Sequence, residues 1–91
     1  MHPSLEKDLD ALSDKHYRQV RAKIDALCTN PQPADRRPMT DYPGVYRMDS
    51  GEYRIGWTEE KTATEHVLTI VLVDRRNDKQ FYKAIKRRLH L

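Results

Sequence analysis

An almost unbroken apolar run, Val67 to Val73, constrains the fold more than any other feature of the sequence, and only Thr69 interrupts it. The run is rich in β-branched residues and is far shorter than the roughly 20 apolar residues that a membrane span needs. A short run of this kind predicts a strand that is buried on both faces. We therefore expect a central strand of a small sheet here, and no membrane-spanning segment.

Two apolar stripes at helical spacing precede this strand and predict a helical hairpin over residues 4–28. The first stripe is formed by Leu5, Leu9 and Leu12, and the second by Tyr17, Val20, Ile24 and Leu27. Ser4 is the predicted N-cap of the first helix, and residues 13–14 are the predicted break and second cap. Asn30 and Pro31 end the hairpin, because proline cannot continue a helix.

Residues 29–43 are interrupted repeatedly by proline and are predicted to form a loop, in which Arg36 and Arg37 are exposed. Two alternating segments, Val45–Asp49 and Glu52–Trp57, then flank a predicted two-residue turn at Ser50 and Gly51. A second turn over residues 59–64 leads into the apolar run. These signals predict a three-strand antiparallel meander.

The chain is expected to end in a short helix. Asn77 or Asp78 is the predicted cap, and Phe81, Ile85 and Leu89 are spaced to form the apolar face. Helices grouped before strands indicate the α+β class, with the helical hairpin packed on the small antiparallel sheet. A length of 91 residues predicts one domain, residues 1–91.

The predicted turn sets the register of the first two strands and brings Arg47 opposite Arg54. The core-facing residues of these strands would then be Tyr46, Met48, Tyr53, Ile55 and Trp57. Like charges directly across a strand pair are destabilising, so the two arginines are interpreted as a preformed anion site, the alternative being two solvated side chains that splay apart. Either Arg75 or Arg76 is expected on the same face, with Tyr82 leaning towards it.

The composition of the chain says less about its function than the positions of its basic residues do. Lys and Arg number 17 against 14 acids, which gives a net charge of +3 and favours polyanions only weakly, so an ordinary soluble domain fits equally well. The single cysteine, Cys28, excludes an internal disulfide and is expected to be a small buried hydrophobe. No metal-ligand spacing is present, and no cofactor is expected. Residues 1–15 have no apolar signal region, so we expect a cytoplasmic protein.

Four segments together resemble the RelE/ParE toxin superfamily: Val45–Met48, Gly51–Ile55, Val71–Arg76 and Phe81–Tyr82. The most specific part is a Gly-x-Tyr-Arg strand followed by a hydrophobic strand, a basic pair and a tyrosine. Members usually open with a strand before the helical hairpin. This chain begins almost directly with its first helix, so that strand is expected to be missing.

The resemblance implies a toxin of a toxin–antitoxin system, an endoribonuclease that cleaves mRNA in the ribosomal A site and is inhibited by a cognate antitoxin. The catalytic residues it implies are Arg47, Arg54, Arg76 and Tyr82, and the candidate substrate-binding residues are Arg36, Arg37 and Arg75. A gyrase-inhibiting toxin of the ParE branch, or a non-catalytic binding member of the same fold, remains the alternative.

RNA carries its own nucleophile, the 2′-OH, so the protein has to align it, move protons and neutralise charge. Arg47 and Arg54 are expected to stabilise the phosphate charge, with Arg76 near the leaving oxygen. Tyr82 is either the base or a platform on which a nucleobase stacks. His16 and His66 are the alternative acid–base pair. The antitoxin is expected to contribute an acidic segment, often helical, that folds on binding.

Overall fold

The computed structural model of the protein describes residues 5–30, 33–39 and 42–89. Its elements are α1 (Leu5–Asp10), α2 (Asp14–Thr29), β1 (Arg37–Pro38), β2 (Val45–Ser50), β3 (Tyr53–Lys61), β4 (His66–Arg75) and α3 (Asp78–Leu89). This arrangement confirms the predicted α+β class. The predicted cap Ser4 and the helix-ending Pro31 lie outside the described residues. None of the helices described has the length and apolar character that crossing a membrane requires.

The sheet is antiparallel throughout, with the strand order β1-β2-β3-β4. In the described part of the chain it has four strands rather than three, because β1 lies in the segment predicted to be a loop. Pro38 pairs with Tyr46 there, in an edge strand, where the missing N–H of proline is tolerated. The apolar run of β4 was expected in a central strand, which is wrong: β4 is at the other edge.

The first two helices cover one face of the sheet, which we call the α2 face. The residues predicted to point there, Tyr46, Met48, Tyr53, Ile55 and Trp57, do lie in or against one core cluster with Val20, Ile24 and Leu27. Trp57 is fully buried at its centre. Two predictions about α2 are wrong: Tyr17 is 41% exposed, and Cys28 is exposed rather than buried.

The last helix covers the opposite face, the α3 face. Asn77 caps α3 as predicted, since its Oδ1 accepts a hydrogen bond from the backbone N–H of Gln80 at 3.2 Å. Phe81 and Ile85 are buried over Gly56, where a Cβ would lie 2.6 Å from Ile85 Cδ1 and 2.9 Å from Phe81 Cζ. The glycine therefore allows the helix to approach the sheet closely. This covering explains why Ile70–Val73 of β4 are buried on both faces although β4 is an edge strand, whereas Val67, also expected to be buried, is 43% exposed.

Gly56→Ala is expected to lower the free energy of unfolding by about 1–3 kcal/mol, because the added methyl group forces α3 away from the sheet. The measurement is equilibrium unfolding in urea. Thr58→Ala, on the same face of β3, is the control, because it removes atoms instead of adding them. An unchanged unfolding midpoint for Gly56→Ala would contradict the close contact between α3 and β3.

Candidate anion-binding site

The register of the β2–β3 hairpin differs from the prediction by two residues. The turn consists of Gly51 and Glu52, so Ser50 pairs with Tyr53 and Arg47 pairs with Gly56. Gly51 has a φ of 59°, a left-handed conformation that glycine adopts without strain and that hairpin turns require at their first position. The prediction that Arg47 faces Arg54 is therefore wrong. A shift of two residues nevertheless keeps every side chain on its predicted face.

Arg54 faces an aspartate instead. Its Nε donates a hydrogen bond to Oδ1 of Asp49 at 2.9 Å, and its guanidinium carbon lies 5.6 Å from the centre of the Phe81 ring. Only 6% of Arg54 is exposed. A buried guanidinium needs such a partner, because an uncompensated charge in the interior is costly. Arg54 is thus held inside the α3 face.

Arg76 contacts the other carboxylate oxygen of Asp49. Either Arg75 or Arg76 was predicted to reach this face, and Arg76 is the one that does. Its Nε is 3.6 Å from Oδ2 of Asp49, and its Nη1 donates to the carbonyl oxygen of Gly51 at 3.1 Å. Half of its side chain is exposed. Asp49 consequently lies between Arg54 and Arg76, and we call these three residues the Asp49 bridge.

Two arginines do oppose each other on the α3 face, but they are Arg37 of β1 and Arg47 of β2. The Nε of Arg47 is buried without a hydrogen-bond partner, and neither residue forms an ion pair with a described carboxylate. Like charges across strands are destabilising, and a buried N–H without an acceptor costs free energy. The arginine pair thus has one buried donor, Nε of Arg47, that an anion would satisfy.

The side of α3 nearest the first strands adds an aromatic and a cationic residue. Tyr82 is half-buried against the cluster that contains Met39 and Val45. Lys86 follows Tyr82 by one helical turn, and its Nζ lies 5.9 Å from the centre of the Tyr42 ring. Sequence reasoning missed Lys86, although the i,i+4 spacing from Tyr82 was the signal that could have found it.

Two of the predicted substrate-binding residues lie elsewhere. Arg36 donates to Oε2 of Glu59 at 2.6 Å and stacks 4.1 Å above the Tyr46 ring. Arg75 lies 5.8 Å from the centre of the Tyr53 ring. Both tyrosines belong to the α2 face, so the structure does not bring these arginines to the arginine pair.

His16 and His66 do not form a pair. His16 lies against Tyr53, with 4.9 Å between the ring centres, whereas His66 pairs with Lys61 at the other end of β3 and β4. The Nε2 of His66 is 3.1 Å from Oε1 of Glu59. The alternative in which two histidines share acid–base work therefore has no geometric support. Within the described ranges, no group of three or more His, Cys, Asp or Glu residues is arranged to hold a metal ion.

The arrangement on the α3 face can bind and neutralise a phosphate. Arg37 and Arg47 supply planar donors that match its oxygens, and Tyr82 supplies a phenol on the same face. Arginine is a poor proton donor, so the chemistry that this face offers is mainly electrostatic. Comparisons with protein-family models, with curated proteins and with solved structures find no match for this chain.

Proposed function

We propose that this protein is a RelE-type toxin of a toxin–antitoxin system, an endoribonuclease that cleaves mRNA in the ribosomal A site. The observation that carries the proposal is the arginine pair, in which Arg37 and Arg47 face each other without an ion pair to any carboxylate of the described residues. A phosphate of the RNA backbone would supply a counter-charge. The resemblance of the sequence to the RelE/ParE toxins supplies the reaction.

In this reaction the 2′-oxygen attacks the adjacent phosphorus, the bond to the 5′-oxygen breaks, and a proton leaves the 2′-OH while another reaches the 5′-oxygen. Arg47 and Arg37 neutralise the charge that grows on the phosphate, which is an electrostatic role. Arg76, half exposed at the hairpin turn, is the residue assigned to the leaving oxygen. Tyr82 accepts the proton or orients a nucleobase by stacking.

The resemblance implies that Arg54 is catalytic, but in this proposal Arg54 has a different role. It is buried beneath Phe81 and bonded to Asp49, so it acts as a positioning residue that holds the aspartate. Its replacement by alanine would also leave Asp49 without its closest partner. Arg47 is therefore the better residue with which to test the reaction.

The test is a primer-extension map of one mRNA during translation in vitro, with the wild-type protein or Arg47→Ala. We expect discrete cuts inside codons, reduced about 100-fold or more in the variant, as for the loss of a group that stabilises a charged transition state. Arg18→Ala is the matched control, because Arg18 is an exposed arginine of α2 away from the α3 face. This variant should cut the mRNA as much as the wild-type protein does. An uncut message with undisturbed translation would refute the proposal.

One observation favours the second candidate, a ParE-like gyrase inhibitor or a non-catalytic binding member. Asp49 already neutralises Arg54 and Arg76, two of the arginines that the resemblance implies to be catalytic. The same experiment separates these functions, because a gyrase inhibitor accumulates cleaved DNA complexes and leaves the mRNA intact.

The partners in this proposal are mRNA, the ribosome and a cognate antitoxin, all in the cytoplasm. An excess of basic residues, and an arginine pair that has no ion-pair partner within the described ranges, suit an acidic antitoxin segment that orders on binding. Such a segment would compete with RNA for the same charges, which explains in physical terms how it would inhibit the toxin.

A further inference from the structure

Asp49 is an anion of the α3 face that lies between two arginines, and Asp74, the strand partner of Arg54, is a second acid on that face. Its carboxylate lies between Arg54 and Arg76, with 2.9 Å from Oδ1 to Nε of Arg54 and 3.6 Å from Oδ2 to Nε of Arg76. Arginines bind a phosphate in a similar arrangement, with two guanidinium groups around its oxygens. The aspartate thus occupies a position that a backbone phosphate would fit.

The two halves of the Asp49 bridge differ in strength. The contact with Arg54 is a hydrogen bond to a side chain that is 8% exposed, whereas the contact with Arg76 is longer and its side chain is 52% exposed. Exposed ion pairs contribute little free energy, so the Arg76 contact is the one that breaks easily. The hydrogen bond from Arg76 to Gly51 keeps its guanidinium beside the turn.

We infer that Asp49 determines how tightly the α3 face binds RNA, by competing with the RNA backbone for Arg76. The inference rests on the proposed function in that RNA is the ligand. Among the described residues, the arginine pair has no carboxylate partner, whereas Arg76 is held by Asp49. The RNA backbone reaches Arg76 only when this side chain leaves Asp49, and the negative charge of Asp49 still repels the RNA. Asp49 therefore weakens binding.

Asp49→Asn is expected to unmask Arg76, because the amide oxygen still accepts from Arg54 but carries no charge. Each additional cation that contacts a single strand steepens the plot of log affinity against log salt by about 0.7. We expect a steepening of that size and an affinity about tenfold higher at low salt, the scale of one removed repulsion between close charges near a protein surface.

The experiment measures fluorescence anisotropy of a labelled single-stranded oligothymidylate, which lacks the 2′-OH and stays uncut, over a range of salt concentrations. Asp25→Asn is the matched control. Asp25 pairs with Arg21 on α2 at 3.5 Å, so this variant changes the net charge equally but away from the α3 face. A steeper slope for Asp49→Asn alone supports the inference. Equal slopes for the two variants, or no binding by either protein, overturn it.

Two further variants keep the inference testable if Asp49→Asn folds poorly or acts indirectly. Asp49→Ser also lacks the charge, and it places no amide beside Arg76, so it should give the same slope. In an Arg76→Ala background, Asp49→Asn should no longer steepen the plot, and a persistent steepening would contradict the role of Arg76. The binding data are independent of cleavage: tighter binding without any mRNA cuts would refute the proposed nuclease while the inference about Asp49 stands.

Discussion

Replacing Asp8 by alanine is expected to lower the free energy of unfolding by about 3 kcal/mol, the cost of leaving one partner of a buried ion pair alone. The Asp8 carboxylate on α1 receives two hydrogen bonds from the Arg88 guanidinium on α3, the longer at 2.8 Å. The two side chains are only 12% and 20% exposed. In the variant a charged guanidinium would stay mostly buried without its counter-ion.

This ion pair also closes the edge of the sheet. Oδ2 of Asp8 accepts from the backbone N–H of Val73 at 3.0 Å, and Nη1 of Arg88 donates to the carbonyl oxygen of Val71 at 2.9 Å. Both backbone groups belong to β4, an edge strand. Without these hydrogen bonds the two backbone groups would be unpaired, and the edge strand of another chain could bind them. We therefore expect Asp8→Ala to aggregate more readily as well.

Deprotonation of Arg88 does not reduce the loss of stability in Asp8→Ala. In the wild-type protein the hydrogen bond to Asp8 raises the pKa of Arg88 above its ordinary value, and burial only partly opposes this. Without Asp8 the guanidinium is still charged at any pH at which the protein is handled, because the ordinary pKa of arginine is already above about 12. The penalty therefore persists from neutral to alkaline solution and falls only in acid, where a protonated Asp8 no longer forms the pair in the wild-type protein either.

A double-mutant cycle in urea measures this coupling. Asp8→Ala and Arg88→Met are each compared with the double variant, which removes the pair without leaving an isolated charge and should be less destabilised than the sum of the single changes. Asp10→Ala, at an exposed position of the same helix, serves as the control. Additive effects of the two changes would show that the ion pair contributes nothing beyond its separate side chains.

Local signals were sufficient to predict most elements of the fold. Apolar spacing placed α2 and α3, and residue type narrowed the cap of α3 to Asn77 or Asp78, of which Asn77 accepts the capping hydrogen bond. The strand β1 could not be predicted in this way. It has two residues, includes a proline, and exists only because Arg37 and Pro38 meet β2 across a segment of loop. Such pairing depends on tertiary contacts, not on local preference.

The sequence predicted the face of the sheet on which the site arginines lie, but not the residues that they contact. Alternation along the strands correctly assigned Arg47 and Arg54 to one face, because a side-chain period of two survives a shift of two residues. The partner of each arginine depends on the turn, and the position of glycine within it was the deciding detail. Consequently the sequence suggested a pair of Arg47 with Arg54, whereas Arg47 faces Arg37 and Arg54 binds Asp49.

Phe81→Ala is expected to have the largest effect on stability, a loss of about 4 kcal/mol. Phe81 is fully buried, packs over Gly56 and lies beside the guanidinium of Arg54. Truncation opens a cavity that Gly56 cannot fill, and it exposes the Arg54 side of the Asp49 bridge to water. Since small domains have only about 5–15 kcal/mol of total stability, a large part of it would be lost.

Urea unfolding measures the total loss, and hydrogen exchange locates it. Because Phe81 and Ile85 are the fully buried residues by which α3 packs on the sheet, the amides of α3 should exchange faster than those of α2 in Phe81→Ala. Phe81→Leu is the matched control, because it retains most of the volume and should cost markedly less than the alanine variant. If Phe81→Ala and Phe81→Leu were equally stable, α3 would not be held by this side chain, and the burial of Arg54 would need another cause.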